Sequence, residues 1–426
     1  VACAVNELTK ARREVCPGVR IRSITVSGFG GDLFDKKHKG THSRLLPFLR
    51  GDKSDVLILS ICKSGPAKLP IGRAAERAEG ERMTDTRSDL SIVAIIPLYN
   101  GARWIEQSIR SVLSQTCKPD EFILVDDGST DDGLAIVERL AREHRITLLR
   151  KTNGGQSAAR NYAIAYSKSS LIALLDQDDI WHPRHLEALV EVFAQHKGPP
   201  LGWVYSDFDD IDHDGKMVSG TYVEHPRLEN PKRHLHSILR HGVIIQPSAT
   251  LISRAAFEAV GGFDEHLCGY EDDDLFLRMF REGFANAYVP YSTSQWRIHP
   301  SSCVASDRHD NSLRLYIRKL LDAFPDDLWR GHYYTRDMIA PRFINIWLRM
   351  YMRASRYKNH AKMRAYVDEA LALVPHLRLG QRLLYATALP LLRFPLLGNA
   401  LLTCASGRCG FGFLRLNLKS AQGSDT

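Results

Sequence analysis

Three short apolar runs, each closing on polar residues, restrict this 426-residue chain more than any other feature. Ser91-Ile-Val-Ala-Ile-Ile96 leads into Pro97-Leu-Tyr-Asn100, and Glu121-Phe-Ile-Leu-Val125 into Asp126-Asp-Gly-Ser-Thr-Asp131. Leu171-Ile-Ala-Leu-Leu175 leads into Asp176-Gln-Asp-Asp179. Helical stretches separate the runs, and strand–helix alternation argues for a mainly parallel sheet with helices on both faces. In an open sheet of that kind ligands bind outside the carboxyl ends of the strands. The carboxylates and Tyr99 therefore converge on one crevice. So many acids without basic neighbours in the motifs repel one another, and a divalent cation carrying a phosphorylated ligand relieves the repulsion. The pattern implies a protein that handles a nucleotide diphosphate.

Periodicity places helices at Arg103–Leu113, Gly133–Glu143, Gln156–Tyr166, Pro183 to about Gln195, and Glu271–Glu282. Further strands are expected at Ile146–Leu149, Gly202–Ser206 and Ala249–Ser253, and Asp214-Gly215 signals a hairpin turn. The acids at 207, 209, 210, 212 and 214 lack the spaced loop and final Glu of a calcium-binding EF-hand, and read as a solvated hairpin. Beyond about Asp310 the chain turns helical, with amphipathic stretches at Leu313–Ala323, Thr335–Ala354, His360–Leu373 and Arg378–Leu389. The expected fold class is α/β, a mainly parallel sheet flanked by helices, with a C-terminal helical appendage. The expected divisions are a basic, poorly ordered leader at 1–88, a sheet domain at 89–305 and a helical region at 306–426. Met83 stands just before the first motif strand while the chain opens on Val1, so Met83 is the expected natural start.

Of the net charge of +8, residues 1–82 hold 16 Lys/Arg against 9 Asp/Glu. The rest is close to neutral, which argues against nucleic acid as a partner of the main domain. The eight cysteines form no C-x-x-C pair and no spacing with His that suits a metal. They fit a reducing compartment, and the expected location is cytoplasmic or peripheral at the inner face of the membrane. Leu383–Leu402 is the most apolar stretch, but Pro390, Arg393 and Pro395 interrupt it. A packed C-terminal helix is the plainer reading, with peripheral membrane contact through the C-terminal helices as the alternative.

Eight pieces in order carry a resemblance. They are Pro97-Leu-Tyr-Asn100, Ser111-Val-Leu-Ser-Gln-Thr116, Val125-Asp-Asp-Gly-Ser-Thr-Asp131, Gly154-Gly-Gln-Ser-Ala-Ala-Arg-Asn161, Leu175-Asp-Gln-Asp-Asp179, Gly261-Gly-Phe-Asp264, Glu271-Asp272 and Arg297-Ile-His299. Together they resemble the family 2 glycosyltransferases with the nucleotide-diphosphosugar-binding GT-A fold, across roughly half the chain. The resemblance implies that Pro97, Tyr99 and Asn100 cup the nucleotide base. Asp127 is the expected base reader, since a carboxylate accepts from the N–H groups of uracil or guanine, while Asp126 holds the loop. Arg160 is expected to approach the nucleotide or diphosphate, with an exposed helical Arg as the competing reading. Asp176-Gln-Asp178 matches the D-x-D motif. Asp178 is expected to bind Mg²⁺ or Mn²⁺, Asp176 to reach the ribose or the metal through water, and His299 to complete the metal shell. Gln246-Pro-Ser248 and Trp181 match segments that line the sugar and acceptor pocket.

In such enzymes the Asp of the Glu-Asp pair is the general base. Asp272 takes that role here, with Glu271 orienting it, because an acceptor hydroxyl is too weakly acidic to react unaided. The expected activity is an inverting transfer of a sugar from a nucleotide-diphosphate sugar donor to a glycan or glycolipid acceptor, plausible in cell-envelope polysaccharide synthesis. A polyprenyl-phosphate sugar synthase and a non-catalytic carbohydrate-binding protein are the alternatives.

Overall fold

The computed structural model of the chain describes residues 43–48, 57–62, 90–220, 228–299 and 307–394. Two compact units divide it, residues 1–70 and 71–426. In the first, β1 (Ser43–Phe48) pairs antiparallel with β2 (Leu57–Cys62). The rest of the expected leader at 1–88, including Met83, lies outside the described residues.

The second unit is built around one sheet. Its first half is parallel: β3 (Ile92–Leu98) lies between β4 (Glu121–Asp126) and β6 (Leu171–Leu174), and β5 (Thr147–Arg150) flanks β4. All seven residues of β3 are buried, as a central strand covered on both faces requires. The period of two sends Ile92, Ala94 and Ile96 to one apolar cluster and Val93 and Ile95 to the other. The chain leaves β3 toward β4 and β5, then returns to β6 on the other side. That reversal opens the crevice at the strands' carboxyl ends. Beyond β6 come β10 (Thr250–Ser253), antiparallel to both neighbours, then β8 (Leu201–Ile211), β11 (Ala285–Arg297) and the short β7 (Ile180–Trp181). β8 and β11 run parallel, and β9 (Met217–Ser219) pairs with β8.

The helices α1 (Ile105–Leu113), α2 (Gly133–Glu143) and α4 (His185–Gln195) pack on one face; α3 (Gln156–Tyr166) packs on the other. With α3 lie α5 (Leu235–His241), α6 (Arg254–Ala259) and α7 (Glu271–Arg281). The C-terminal helices α8 (Asp307–Ala323), α9 (Ala340–Arg356), α10 (His360–Leu373) and α11 (Leu379–Leu391) follow. They do not form a separate core. Leu313, Tyr316, Phe343, Trp347 and Tyr366 join the cluster that holds Val93, Ile95 and α7. No described helix is long and apolar enough to cross a membrane.

One expectation needs correction. The acids at 207, 209 and 210 do not sit in a solvated hairpin. β8 runs on through them to Ile211, and all three are buried. Only Asp212 and Asp214 lie in the turn, where Asp212 Oδ1 accepts from the backbone N–H of Asp214 and Lys216.

Candidate active site

The parallel register sets the edge of the crevice. Pro97 lies opposite Val125, Leu98 opposite Asp126, and Ile95 opposite Leu174. Tyr99 and Asp127 therefore emerge side by side, and the run that starts at Asp176 emerges on the other flank of β3. Tyr99 is half-exposed, and its backbone is fixed at both polar groups by one side chain. Its N–H donates to Gln177 Oε1 at 2.8 Å, and its carbonyl accepts from Gln177 Nε2 at 3.1 Å. Asn100 takes a left-handed conformation (φ 50°), and its Oδ1 accepts from the N–H of Thr130 at 2.8 Å. Asp131 Oδ2 accepts from the N–H of Ala102 at 2.9 Å. The loops after β3 and β4 thus hold each other.

Asp126 is buried and closes its own turn, Oδ1 accepting from the N–H of Ser129 at 3.0 Å. Asp127 is more fully engaged. Oδ1 accepts from Lys151 Nζ at 2.7 Å and the N–H of Gly154 at 2.9 Å, and Oδ2 accepts from the N–H of Gly155 at 2.8 Å. Gly155 needs its φ of +90° to present that N–H, which only glycine adopts at little cost. The expected base reader is therefore tied to the turn before α3.

Arg160 departs most from its sequence reading. It is neither exposed nor directed at solvent. Its guanidinium is fully buried, with Nη2 bonded to Asp176 Oδ1 and Nη1 to Glu271 Oε1 at 3.1 Å. Its charge neutralises protein carboxylates, which overturns the reading of an exposed helical Arg. One guanidinium joins the acids after β6 to the acids that start α7.

In the first of those runs, Asp178 Oδ2 lies 2.7 Å from His299 Nε2, so the expected metal pair is in direct contact. The His299 ring rests on Trp104, centroids 4.3 Å apart. Asp179 is buried. Oδ2 accepts from Ser248 Oγ at 2.7 Å, and Oδ1 from the N–H of Arg297 at 3.0 Å. Burial and the charges of Asp178 and Asp176 push its carboxyl well above the usual carboxylate range. Burial also raises Asp176, with Arg160 opposing and Asp178 adding to the rise. Trp181 does not line the pocket; it is buried, and its Nε1 donates to the carbonyl of Ser248 at 2.7 Å. Gln246-Pro-Ser248 acts through Ser248, whose Oγ also accepts from the N–H of Asp176 at 3.1 Å.

The second run begins α7. Gly269 (φ 92°) and Tyr270 (φ 67°) precede it in left-handed conformations, a strained entry for the tyrosine of the kind found at functional sites. Glu271 is buried and saturated, accepting from Arg160, from Gln156 Nε2, and from the N–H of Gly269 at 2.6 Å. Asp273 Oδ2 pairs with Arg342 of α9 at 2.7 Å. Asp274 pairs with Arg278 at 2.8 Å and Lys319 of α8 at 2.7 Å. Asp272 is the member of the run without an ion pair among the described residues. Its Oδ1 accepts from the N–H of Asp273 at 2.8 Å. Burial and the charges of Glu271 and Asp273 push its carboxyl well above the usual range.

Sequence reasoning assigned no role to Gln177, Arg297, Arg342 or Lys319. Arg297 is buried, and it donates to the carbonyls of Asp178 and Asp212 and to Gln107 Oε1. A lone Arg between aromatic and apolar residues, Trp296-Arg297-Ile298, was a signal of a buried anchor. Nothing local marks Arg342 or Lys319, whose partners lie in another helix.

Comparison with known proteins adds the following. The family model described as "Glycosyl transferase family 2" matches residues 93–261. An uncharacterized glycosyltransferase of Rickettsia prowazekii is 32% identical over 246 residues, 56% of this chain and 70% of that protein. The chondroitin synthase of Pasteurella multocida is 29% identical over 189 residues, 44% of this chain and 18% of that protein. The chain spans 27% or less of the length of the first curated relatives it matches. Among solved structures, S. aureus TarS superposes with a TM-score of 0.50 at 17% identity, covering 73% of this chain and 55% of that one.

Proposed function

The chain belongs to glycosyltransferase family 2, and on that premise we propose that it is an inverting transferase that moves a sugar from a nucleotide-diphosphate donor to a hydroxyl acceptor, with Asp272 as general base. Its curled, mostly parallel sheet is of the GT-A type. The observation that carries the proposal is the pair of contacts made by Arg160, which brings the acids after β6 and the start of α7 within one guanidinium of each other. Donor-side and acceptor-side carboxylates then share one crevice.

The roles follow from the partners. Glu271 is saturated, and Asp273 and Asp274 are neutralised by cations. Asp272 keeps a carboxylate available. Burial and the neighbouring acids raise its proton affinity, which makes it a stronger base than an ordinary carboxylate. As the acceptor oxygen forms its bond to the anomeric carbon, Asp272 accepts the hydroxyl proton. The bond to the diphosphate oxygen breaks on the opposite face. The transition state has oxocarbenium character.

Among the described residues no cluster of three or more side chains could hold a metal ion. Asp178 and His299 nonetheless fit a divalent cation of the Mg²⁺ or Mn²⁺ kind. Such ions are held by one or two protein ligands, with substrate phosphates filling other positions, and these two donor atoms already converge. When bound, the ion supplies charge neutralisation at the departing diphosphate. Asp178 and His299 orient that end of the donor, and the Tyr99 loop faces its base. A donor screen by nucleoside-diphosphate release, with Mg²⁺ or Mn²⁺, tests the reading. Release by the parent protein and its loss in Asp272→Asn are expected. Turnover of no nucleotide sugar would sink the proposal.

A further inference from the structure

The near neutrality of residues 83–426 conceals two opposed regions. Residues 83–306 carry 22 Lys/Arg against 31 Asp/Glu, and residues 307–426 carry 19 against 9. Part of the excess is ordered on α9. Arg342, Arg349, Arg353 and Arg356 follow at intervals that keep them within about 60° of arc on one helix face, at roughly 100° per residue. Phe343, Ile344, Trp347, Leu348 and Tyr351 fill the opposite face.

The stripe starts beside the base. Arg342 holds Asp273, the residue after Asp272. Farther along, Arg349 lies close enough to act electrostatically on Tyr270, and Arg353 on His309. The rings of Tyr270 and His309 are 5.2 Å apart, and Tyr270 opens the turn that carries Asp272. Arg349 and Arg353 are exposed. The acids near these helices pair instead with Arg314, Lys319, Arg342, Lys362, Arg378 and Arg393. Neither Arg349 nor Arg353 has an ion pair among the described residues. Like charges at i and i+4 destabilise a helix. An anion laid between them relieves that repulsion.

We propose that Arg349 and Arg353 form a track for an acceptor that carries negative charge, a glycan bearing carboxylate or phosphate groups. The acceptor lies along α9 with its reacting hydroxyl at Asp272. Arg349 and Arg353 stand one turn apart, about 6 Å along α9 at 1.5 Å per residue. A membrane surface fits less well, because the stripe runs into the nearly buried Arg342–Asp273 pair, where a chain end can follow and a flat bilayer cannot. The inference rests on the transferase reading and names its acceptor class.

The test uses the full chain and four probes: oligogalacturonate, poly(glycerol phosphate), neutral cellohexaose, and phosphatidylglycerol vesicles. Calorimetry should show a charged oligomer binding more tightly than cellohexaose, with affinity falling as salt rises. The double variant Arg349→Gln/Arg353→Gln should lose about tenfold or more of that affinity, as expected for two lost charged hydrogen bonds. Arg349→Lys/Arg353→Lys should keep most of it, which separates lost charge from a damaged fold. Equal binding of charged oligomers by the parent and the Gln double variant would overturn the track. So would equal binding of charged and neutral oligomers, or binding to vesicles alone. Failure of the parent to turn over any nucleotide sugar would instead count against the transferase reading.

Discussion

Asp176-Gln-Asp-Asp179 and Glu271-Asp-Asp-Asp274 both line one crevice with carboxylates, and the chain restrains them by different means. In the first run the partners are mostly loops at the sheet's edge. Ser248 Oγ and the N–H of Arg297 hold Asp179, and Gln177 reaches across to the backbone of Tyr99. In the second, three of the four acids draw on cations from other helices: Arg160 of α3, Arg342 of α9 and Lys319 of α8. Asp178 is left facing His299, and Asp272 has no ion pair among the described residues. Each run therefore leaves one carboxylate without a Lys or Arg partner among the described residues while its neighbours are tied down. The difference is that the first run is held by groups at the sheet's edge, whereas the second depends on other helices, two of them C-terminal. Among the described residues Arg160 is the cation that pairs with both runs.

The sharpest test of that division is Asp272→Asn. It preserves size but cannot take a proton, and loss of a general base typically costs on the order of 10²–10⁴-fold in rate. Single-turnover kinetics should show that loss while calorimetry shows nearly unchanged donor affinity. The variant should also be more stable at neutral pH. A carboxyl whose pKa is raised in the folded state favours folding when protonated and opposes it once pH exceeds that pKa. Replacing it with a neutral amide removes the opposition, so the thermal midpoint should rise. The same shift places the acid limb of the rate profile above the usual carboxylate range, with activity gained as pH increases through it.

Arg160→Met attacks the group the two runs share. It leaves Asp176 and Glu271 without their cation in a buried setting, and breaking a buried pair from one side costs roughly 3–5 kcal/mol. Chemical denaturation should show that loss. An unchanged midpoint would mean that the runs do not depend on Arg160.

Asp178→Ala separates the runs from the donor side. Metal-dependent affinity for the nucleotide sugar should disappear, while the Asp272 side stays intact. Unchanged Mn²⁺ dependence in calorimetry would remove Asp178 from the metal role.

The contrast also explains what could be read from sequence. The donor side was legible because its signals are local: an apolar run that ends in acids, and a Gly154-Gly155 turn before a helix. Expected helices at Gly133–Glu143, Gln156–Tyr166 and His360–Leu373 coincide with α2, α3 and α10. β11 was missed because Pro290, Tyr291, Ser292, Thr293 and Ser294 break the apolar pattern, and its register against β8 shifts three times. The fate of Arg160 was hidden for another reason. Its partners lie 16 and 111 residues away, and burial of a helical Arg is decided by which acids the fold delivers to it. Arg342 and Lys319 share that blindness.

The smallest expected effect belongs to Gln177, and it asks whether the donor side is as local as the comparison claims. Its amide meets both backbone groups of Tyr99 in the manner of a neighbouring strand, so the residue between Asp176 and Asp178 sets the height of the base-facing loop. Gln177→Leu keeps bulk and removes both hydrogen bonds. Each such bond contributes about 0.5–1.5 kcal/mol net, less where water can replace it. The Tyr99 loop is partly exposed, so a total near 1 kcal/mol, about fivefold in donor affinity, is the expected loss. Because Asp178 stays in place, the nucleotide sugar should still need metal, and transfer at saturating donor should be nearly normal. A rise in donor KM with little change in kcat would confirm that Gln177 works through the loop. A fall in kcat at unchanged KM would show instead that the first run reaches the base, and the division between the two sides would have to be abandoned.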